Sequence, residues 1–265
     1  TVGAVDGTRG AAPRGLDLFG PGLSALGLAA GTWAVISAGE HGWGVPQLAA
    51  AAVAAGLLIG FVAVERRVPE PMLPPGLFAG RGFTVAVTVG FCLNVSFFGQ
   101  LFVLSLFFQR TLGHDAWEAG LALAPQACSA VVAAPLGGRA AARFGVFPAM
   151  LMGLVLGAAG FAGTAFIGSG TAPLVVSGVT FAAGFGMAFA MPAATAAAVS
   201  AVPDELAGTA GGVVNAARQT GSVAGVAILG GVVAADASPS GFRVAMLMAA
   251  GIFVVAAALV AAAAR

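Results

Sequence analysis

Residues 82–108 have the sequence GFTVAVTVGFCLNVSFFGQLFVLSLFF, a run of 27 residues without a charged side chain. A helix needs about 20 predominantly apolar residues to cross the hydrocarbon core of a bilayer. The run exceeds that length, so its ends would still reach the headgroup regions if the helix were tilted. It also lacks the regular alternation of apolar and polar residues that is typical of a membrane β-barrel strand. We therefore predict that these residues form a transmembrane helix.

Apolar segments of similar length occur along the whole 265-residue chain. Short breaks built from glycine, proline and polar residues, such as Gly113-His114-Asp115, separate them. The predicted spans are 18–38, 45–64, 82–108, 117–138, 146–168, 172–200, 207–234 and 243–264. The sequence thus predicts an all-α membrane protein with eight transmembrane helices.

The overall composition excludes several other classes of protein. Hydrophobic residues make up 59% of the chain and charged residues only 8%, whereas a soluble domain has about 25% charged residues. The net charge is +1 and lysine is absent, so we expect no nucleic-acid partner. Neither the two cysteines nor His41 and His114 have the spacing of a metal site or a catalytic triad. We predict no catalytic residue, no metal and no cofactor.

Arginine positions predict the orientation of the chain in the membrane. If the N-terminus is cytoplasmic, the outside loops hold only Arg110 and Arg243. The inside segments then hold eight arginines, which are Arg9, Arg14, Arg66, Arg67, Arg81, Arg139, Arg143 and Arg265. Because cytoplasmic loops carry the excess of positive residues, we expect an inner (plasma) membrane protein with both ends of the segment in the cytoplasm.

The chain begins at Thr1, without an initiator methionine or a signal peptide. We therefore expect a fragment of a longer protein.

A proline-rich loop divides the predicted spans into two groups. Residues 68–75 have the sequence VPEPMLPP, which cannot continue a helix. We predict a cytoplasmic interfacial loop over residues 67–81, with Leu73, Leu77 and Phe78 in the headgroup region. The remaining units are a cytoplasmic segment (1–17), an inserted two-helix hairpin (18–66) and a six-helix bundle (82–265).

Arg218 is the only charged residue well inside a predicted span. A guanidinium at the bilayer centre costs about 2.5–3.5 kcal/mol on insertion scales, so it should be paired or should face water. Asn215 and Gln219 lie on neighbouring faces of the same helix. Two interpretations stay open. The polar stripe lies on a substrate path or a helix–helix gate, or Arg218 extends to the cytoplasmic surface or caps a neighbouring helix.

Three amides, those of Asn94, Gln100 and Gln126, also lie inside predicted spans. Each needs a hydrogen-bond partner in a medium without water. They either meet substrate in a cavity or join helix to helix. The phenylalanines of the third span suit a pocket for flat lipophilic compounds and suit lipid contact equally well. The spacings Gly153-xxx-Gly157 and Gly221-xxx-Gly225 predict close approach of helix backbones.

Four stretches together resemble the C-terminal part of the fourteen-helix drug:proton antiporter branch of the major facilitator superfamily. Residues 65–83, with Glu65-Arg66-Arg67 and Pro71-Met72-Leu73-Pro74, are similar to the loop that enters the family's ninth helix. Residues 107–125 are similar to the loop between its ninth and tenth helices, and residues 203–227 to its thirteenth-helix region. Gly138-Arg139-Ala140-Ala141-Ala142-Arg143-Phe144-Gly145 resembles the superfamily's cytoplasmic loop motif, although Ala142 stands where an acidic residue is common.

This resemblance implies the architecture of a half-transporter. The hairpin would be the family's two extra helices, and residues 82–265 its C-terminal six-helix bundle, built from two inverted repeats. A missing N-terminal six-helix half would carry the antiporter motif and the proton-coupling carboxylates, since no predicted span here contains Asp or Glu in its interior and Glu118 lies at the edge of the span 117–138. By the family's architecture the substrate-cavity candidates are Asn94, Phe98, Gln126, Met187, Met191, Asn215 and Gln219. The gating or ion-pair candidates are Arg218, Arg139 and Arg143.

The function expected from this resemblance is proton-coupled efflux of lipophilic or cationic small molecules by alternating access, which would confer drug or antibiotic resistance. The expected partners are these substrates, protons, membrane lipids and the N-terminal half. One alternative is transport of a specific metabolite or a self-made antibiotic. An alternative of another class is a membrane scaffold or enzyme domain that transports nothing.

Overall fold

The computed structural model describes residues 19–41, 44–65 and 75–264. Within these residues the chain is helical and contains no strand, which confirms the all-α class. The long helices are α1 Phe19–His41, α2 Val45–Glu65, α3 Arg81–Leu106, α4 Ala116–Phe144, α5 Val146–Thr164, α6 Pro173–Ser200, α7 Ala207–Ala235 and α8 Pro239–Ala263. Short 3-10 turns cover Pro75–Ala79 and Asp204–Leu206, and a π turn at Phe107–Thr111 extends α3.

Five of these helices are long and apolar enough to cross a membrane, by length and composition among the described residues. They are α3 with its π turn, α4, α5, α6 and α8. Helix α2 contains a shorter apolar stretch, Val45–Phe61. Helix α7 carries the polar residues around Arg218 near its middle. The count of eight spans stays a prediction.

Several helices extend beyond the predicted spans, because a helix does not have to end where the apolar residues end. Helix α4 continues through Arg139 and Arg143, so the predicted loop motif forms its last turns. Arginine and alanine both favour helix, and the helix stops only at Gly145. The φ of Gly145 is 93°, a conformation that glycine adopts readily and other residues rarely do. Likewise α1 continues to His41, through residues predicted to be a break.

Helix α8 begins earlier than predicted, at Pro239, because Ser238 caps it. The Ser238 hydroxyl accepts from the backbone N–H groups of Ser240 and Gly241, and proline is favoured at the first helical position. Hydrogen bonds from Ser238 hold the pKa of the Asp236 carboxyl below its usual value. The interval between the predicted spans 207–234 and 243–264 therefore contains a helix start.

The six helices α3–α8 pack in a pattern that repeats. Helix α3 packs mainly on α7, and α4 packs mainly on α6. Helix α5 packs on α6, and α8 packs on α3; α5 and α8 also contact each other. Helices α3, α4 and α5 correspond to α6, α7 and α8 in that order. When the corresponding helices are exchanged, the same packing pairs result, as two three-helix repeats require. Helices α1 and α2 pack against each other, and α1 also contacts α7.

Glycines set the closest helix crossings, as the sequence predicts. A Cβ at Gly221 would meet the Phe91 carbonyl oxygen of α3 at 2.5 Å, and one at Gly225 would collide with the Val95 carbonyl oxygen. Gly221 faces Phe91 and Gly225 faces Val95, so residue numbers increase in the same direction along both helices. Helices α3 and α7 therefore run parallel. A Cβ at Gly153 would lie 2.8 Å from the Gly186 carbonyl oxygen of α6. The close approach predicted for both glycine pairs is confirmed.

The loop before α3 is only partly described. The segment 1–17 and residues 67–74, which include Leu73, lie outside the described residues. Leu77 is 8% exposed and belongs to the hydrophobic core of the bundle. Its predicted place among the headgroups is therefore wrong. Phe78 is 47% exposed and packs edge-to-face on Phe83 with 5.3 Å between ring centroids. The domain boundaries stay predictions.

Replacing Asp115 with alanine is expected to fray the start of α4. Asp115 Oδ1 accepts from the Glu118 N–H at 2.8 Å, and Glu118 Oε2 accepts from the Asp115 N–H at 3.1 Å. Loss of such a cap costs about 0.5–2 kcal/mol. The thermal midpoint of the detergent-purified full-length protein should fall accordingly, while Asp115→Asn should retain most of the stability. Equal midpoints for the alanine variant and the parent would contradict this role.

Candidate functional site

A polar cluster joins α3 and α7 near the middle of both helices. Asn94 is 1% exposed, and its amide N–H donates to the Gly90 carbonyl oxygen at 2.9 Å. The hydroxyl of Ser222 lies 3.3 Å from Asn94 Oδ1 and 3.0 Å from the Arg218 carbonyl oxygen. Its single proton thus has two acceptors, one across the helix interface and one in its own helix. Both ends of the Asn94 amide thus have a protein group within hydrogen-bond distance.

Arg218 lies directly beside this cluster. A Cβ at Gly90 would lie 3.4 Å from Arg218 Cγ and 4.0 Å from Cδ, so the stem of the arginine crosses α3 where that helix has no side chain. The Nε atom of Arg218 is buried and has no hydrogen-bond partner. No ion pair or hydrogen bond joins its guanidinium to another described residue. Arg218 is eleven residues after Ala207, about 16 Å along the helix axis from the start of α7.

An exposed polar stripe lies next to Arg218 on α7. Asn215 and Gln219 are both exposed, and their spacing of four residues places them on one face. Polar side chains near the middle of a membrane helix face a bundle interior or a water-filled cavity rather than lipid. On α3, Phe98 is 37% exposed and packs edge-to-face on Phe97 with ring centroids 5.3 Å apart. These exposed residues have the accessibility that a cavity surface requires.

Gln126 does not have that accessibility. It is 1% exposed, and its Nε2 donates to Gln100 Oε1 at 2.8 Å. Gln100 is fully buried, and its Nε2 lies 3.4 Å from Gln126 Oε1. The two amides therefore form a reciprocal pair between α3 and α4, two helices that otherwise touch little. A Cβ at Gly184 of α6 would lie 2.9 Å from Gln126 Cγ, so a third helix closes over this pair.

The remaining candidates are dispersed. Met187 and Met191 of α6 are half-buried and pack against the core. Arg139 and Arg143 are exposed at the end of α4, and the Arg143 guanidinium carbon lies 5.2 Å from the centre of the Phe144 ring. Their predicted gating or ion-pair roles stay predictions.

Among the candidates, the structure brings Asn94 and Arg218 together in one cluster. It places Gln126 with Gln100 in another. Sequence reasoning did not identify Gly90 and Ser222 as members of the Arg218 cluster. The signal was present, because Gly90 lies four residues before Asn94 and Ser222 lies four residues after Arg218. Among the described residues, no group of three or more His, Cys, Asp and Glu could hold a metal ion.

The fold and the polar clusters define a helical membrane protein built on a repeated three-helix bundle. Residues 16–226 match the model of the Major Facilitator Superfamily. The chain therefore belongs to the Major Facilitator Superfamily, a family of transporters rather than of enzymes, which confirms the predicted family.

Curated relatives agree with this membership. The chain is 37% identical over 206 residues to the methylenomycin A resistance protein of Streptomyces coelicolor, covering 77% of this chain and 43% of that protein. It is 31% identical to the tetracenomycin C resistance and export protein of Streptomyces glaucescens, covering 83% and 41%. The multidrug resistance protein Stp of Mycobacterium tuberculosis is 32% identical, covering 84% and 41%. The chain thus spans less than half the length of these relatives.

A solved structure supports the fold. The nucleoside transporter NupG (D323A mutant) superposes with a TM-score of 0.60 over 92% of this chain and 66% of that chain. The sequence identity is 16%, so this likeness concerns the fold alone.

Proposed function

We propose that this chain is the C-terminal part of a fourteen-helix exporter that removes small molecules from the cytoplasm by alternating access, coupled to proton entry. The observation that supports it most is the exposed stripe of Asn215 and Gln219 beside Arg218 on α7. These groups need a water-filled cavity in an otherwise apolar bundle. A second bundle facing α7 would create that cavity, and the curated relatives have the additional length to supply one.

The cavity candidates divide by exposure. Three exposed residues would line the surface of the cavity, namely Phe98, Asn215 and Gln219. The Phe98 ring would contact lipophilic compounds, and the two amides would bind polar groups. Met187 and Met191 lie within the adjacent bundle and would let the pocket adapt, because methionine is flexible and polarisable. Asn94 and Gln126 would act from behind this surface by holding α3 against α7 and α4.

The proposed function also implies where the proton-coupling residues, the hairpin and the ends of the segment lie. Proton-coupling carboxylates and the antiporter motif would belong to an N-terminal six-helix half, and residues 18–66 would be the hairpin inserted between the halves. Both ends of the segment would lie on the cytoplasmic side of the inner membrane, in contact with its lipids. Arg139 and Arg143 at the end of α4 would bind lipid phosphates or helix ends there.

Export of a specific, self-made antibiotic is the second candidate. Two Streptomyces relatives, whose names state methylenomycin A resistance and tetracenomycin C resistance and export, favour it.

The test is accumulation of ethidium in a drug-sensitive host that expresses the full-length protein. Accumulation should fall relative to the empty host and should be restored by a protonophore. The variant Asn215→Ala/Gln219→Ala should reduce export several-fold, on the order of the 1 kcal/mol that a hydrogen bond contributes. Thr220→Ala is the matched control on α7, since its exposed hydroxyl is already bonded to the Ala216 carbonyl oxygen at 2.9 Å.

If neither ethidium nor any antibiotic of a tested panel accumulates differently in the expressing host, the export function is wrong. If only one antibiotic responds, the second candidate replaces general drug export.

A further inference from the structure

The guanidinium of Arg218, which no described residue pairs with, identifies a binding site for one anionic group. We propose that Arg218 binds a carboxylate near the middle of the membrane, at the cavity surface that α7 presents. The inference rests on the proposed function and deepens it, because it assigns a chemical class to the ligand of this site.

Arg218 lacks an anion among the described residues. Arginine stays protonated in proteins and carries five N–H donors with no acceptor. Its Nε is buried without a partner. The nearest described carboxylates along the chain are Glu205, thirteen residues before it, and Asp236, eighteen residues after it. At 1.5 Å per residue these positions lie about 20 and 27 Å away along the helix axis.

The stem of Arg218 is held in place by its neighbours. Its stem lies over Gly90, and its backbone carbonyl oxygen is 3.0 Å from the Ser222 hydroxyl, which also lies 3.3 Å from Asn94 Oδ1. The stem of the side chain thus packs against α3. A fixed guanidinium loses less conformational freedom when it binds a ligand than a mobile one does.

The charge of the site matches one negative charge on a ligand. Within α7, Arg218 is the only charged residue. A carboxylate would neutralise it and accept two parallel N–H bonds from the planar fork. A phosphate dianion would leave an uncompensated negative charge in a medium of low dielectric constant. The exposed amides of Asn215 and Gln219 on the same helix offer further N–H donors to a bound carboxylate.

The carboxylate can come from two sources, and they have opposite consequences. A carboxylate on the cargo would make the transporter select anionic compounds. A carboxylate from another helix of the full-length protein would form a neutral pair with Arg218, and the cavity would then admit cations. A bare guanidinium at this surface would repel a cationic compound such as ethidium.

The experiment uses the full-length protein in lipid nanodiscs with two probes of the same shape, pyrenebutyrate and pyrenebutanol. If the cargo supplies the carboxylate, the parent protein should bind the acid at least tenfold more tightly than the alcohol. Arg218→Gln should abolish this preference without changing the affinity for the alcohol, which shows that the variant is folded. Arg218→Lys should keep part of it, because lysine retains the charge but loses the bidentate fork. Arg243→Gln is the control, since Arg243 lies in the second turn of α8, away from the middle of the bundle where Arg218 lies.

If another helix supplies the carboxylate, the two probes should bind alike to the parent protein. Arg218→Glu should then abolish ethidium export, and replacing one membrane Asp or Glu elsewhere in the full-length protein with arginine should restore it. The proposal is overturned if Arg218→Gln leaves a preference for the acid unchanged. It is also overturned if the probes bind alike and no such replacement restores export. If neither ethidium nor any antibiotic of the panel is exported while the acid preference depends on Arg218, the site stands and the export function fails.

Discussion

Gly225→Ala is expected to destabilise the protein by about 1–3 kcal/mol, the usual cost of inserting a methyl group into a packed core. Gly225 lies at the crossing of α3 and α7, where a Cβ would collide with the Val95 carbonyl oxygen. A Cβ at Gly99, on the opposite helix, would lie 2.5 Å from the Gly225 carbonyl oxygen. The obstructing atoms belong to backbone on both sides, so no side chain can rotate away. The helices must separate, which also weakens the contact between Asn94 and Ser222.

Gly231→Ala is the matched control on the same helix. Gly231 is exposed, and a Cβ there would meet nothing within 4 Å. Alanine should therefore be neutral or stabilising by up to about 1 kcal/mol, because it favours helix over glycine. The measurement is the thermal midpoint of the full-length protein in detergent, at roughly 2–4 °C per kcal/mol. Equal midpoints for the two variants would contradict the proposed crossing geometry.

The contrast between these two glycines shows what could be predicted from the sequence. Uncharged runs longer than the bilayer is thick predict helices, and the spacing of Gly221 and Gly225 predicts a close crossing. The sequence does not state which helix they approach, because any helix with a small residue at that depth would fit. The ends of the helices were predicted less accurately than their existence. Arg139 and Arg143 are polar enough to leave the membrane, yet they continue α4 as good helix formers.

The candidate site was predictable only residue by residue. Arg218, Asn94 and Gln126 are recognisable because polar groups are costly inside apolar spans. Which partner satisfies each one depends on the crossing of helices far apart in the chain. Asn94 and Ser222, for example, are separated by 128 residues. Exposure also differs in a way that composition does not reveal, since Asn215 is exposed and Gln126 is buried.

Gln100→Met is expected to cost about 1–3 kcal/mol, because it leaves the amide of Gln126 buried without its partner. Gln126→Met should have a similar effect for the reciprocal reason. Both glutamines are at most 1% exposed, so water cannot replace the lost hydrogen bonds. Methionine has nearly the same length and is unbranched, so the change removes polarity with little change in shape. Gln109→Met is the control, since Gln109 is exposed and bonded to Ser105 of its own turn.

The double variant Gln100→Met/Gln126→Met separates a hydrogen-bonded tie from simple packing. With both amides gone, neither position keeps a buried amide without its partner, so the double variant should be more stable than either single variant. The coupling free energy should be about 1 kcal/mol, within the range measured for pairs between membrane helices. Thermal midpoints of the four proteins in detergent complete the cycle. Additive losses would show that the two amides do not interact, and α3 and α4 would then be held together by their shared contacts with α6 alone.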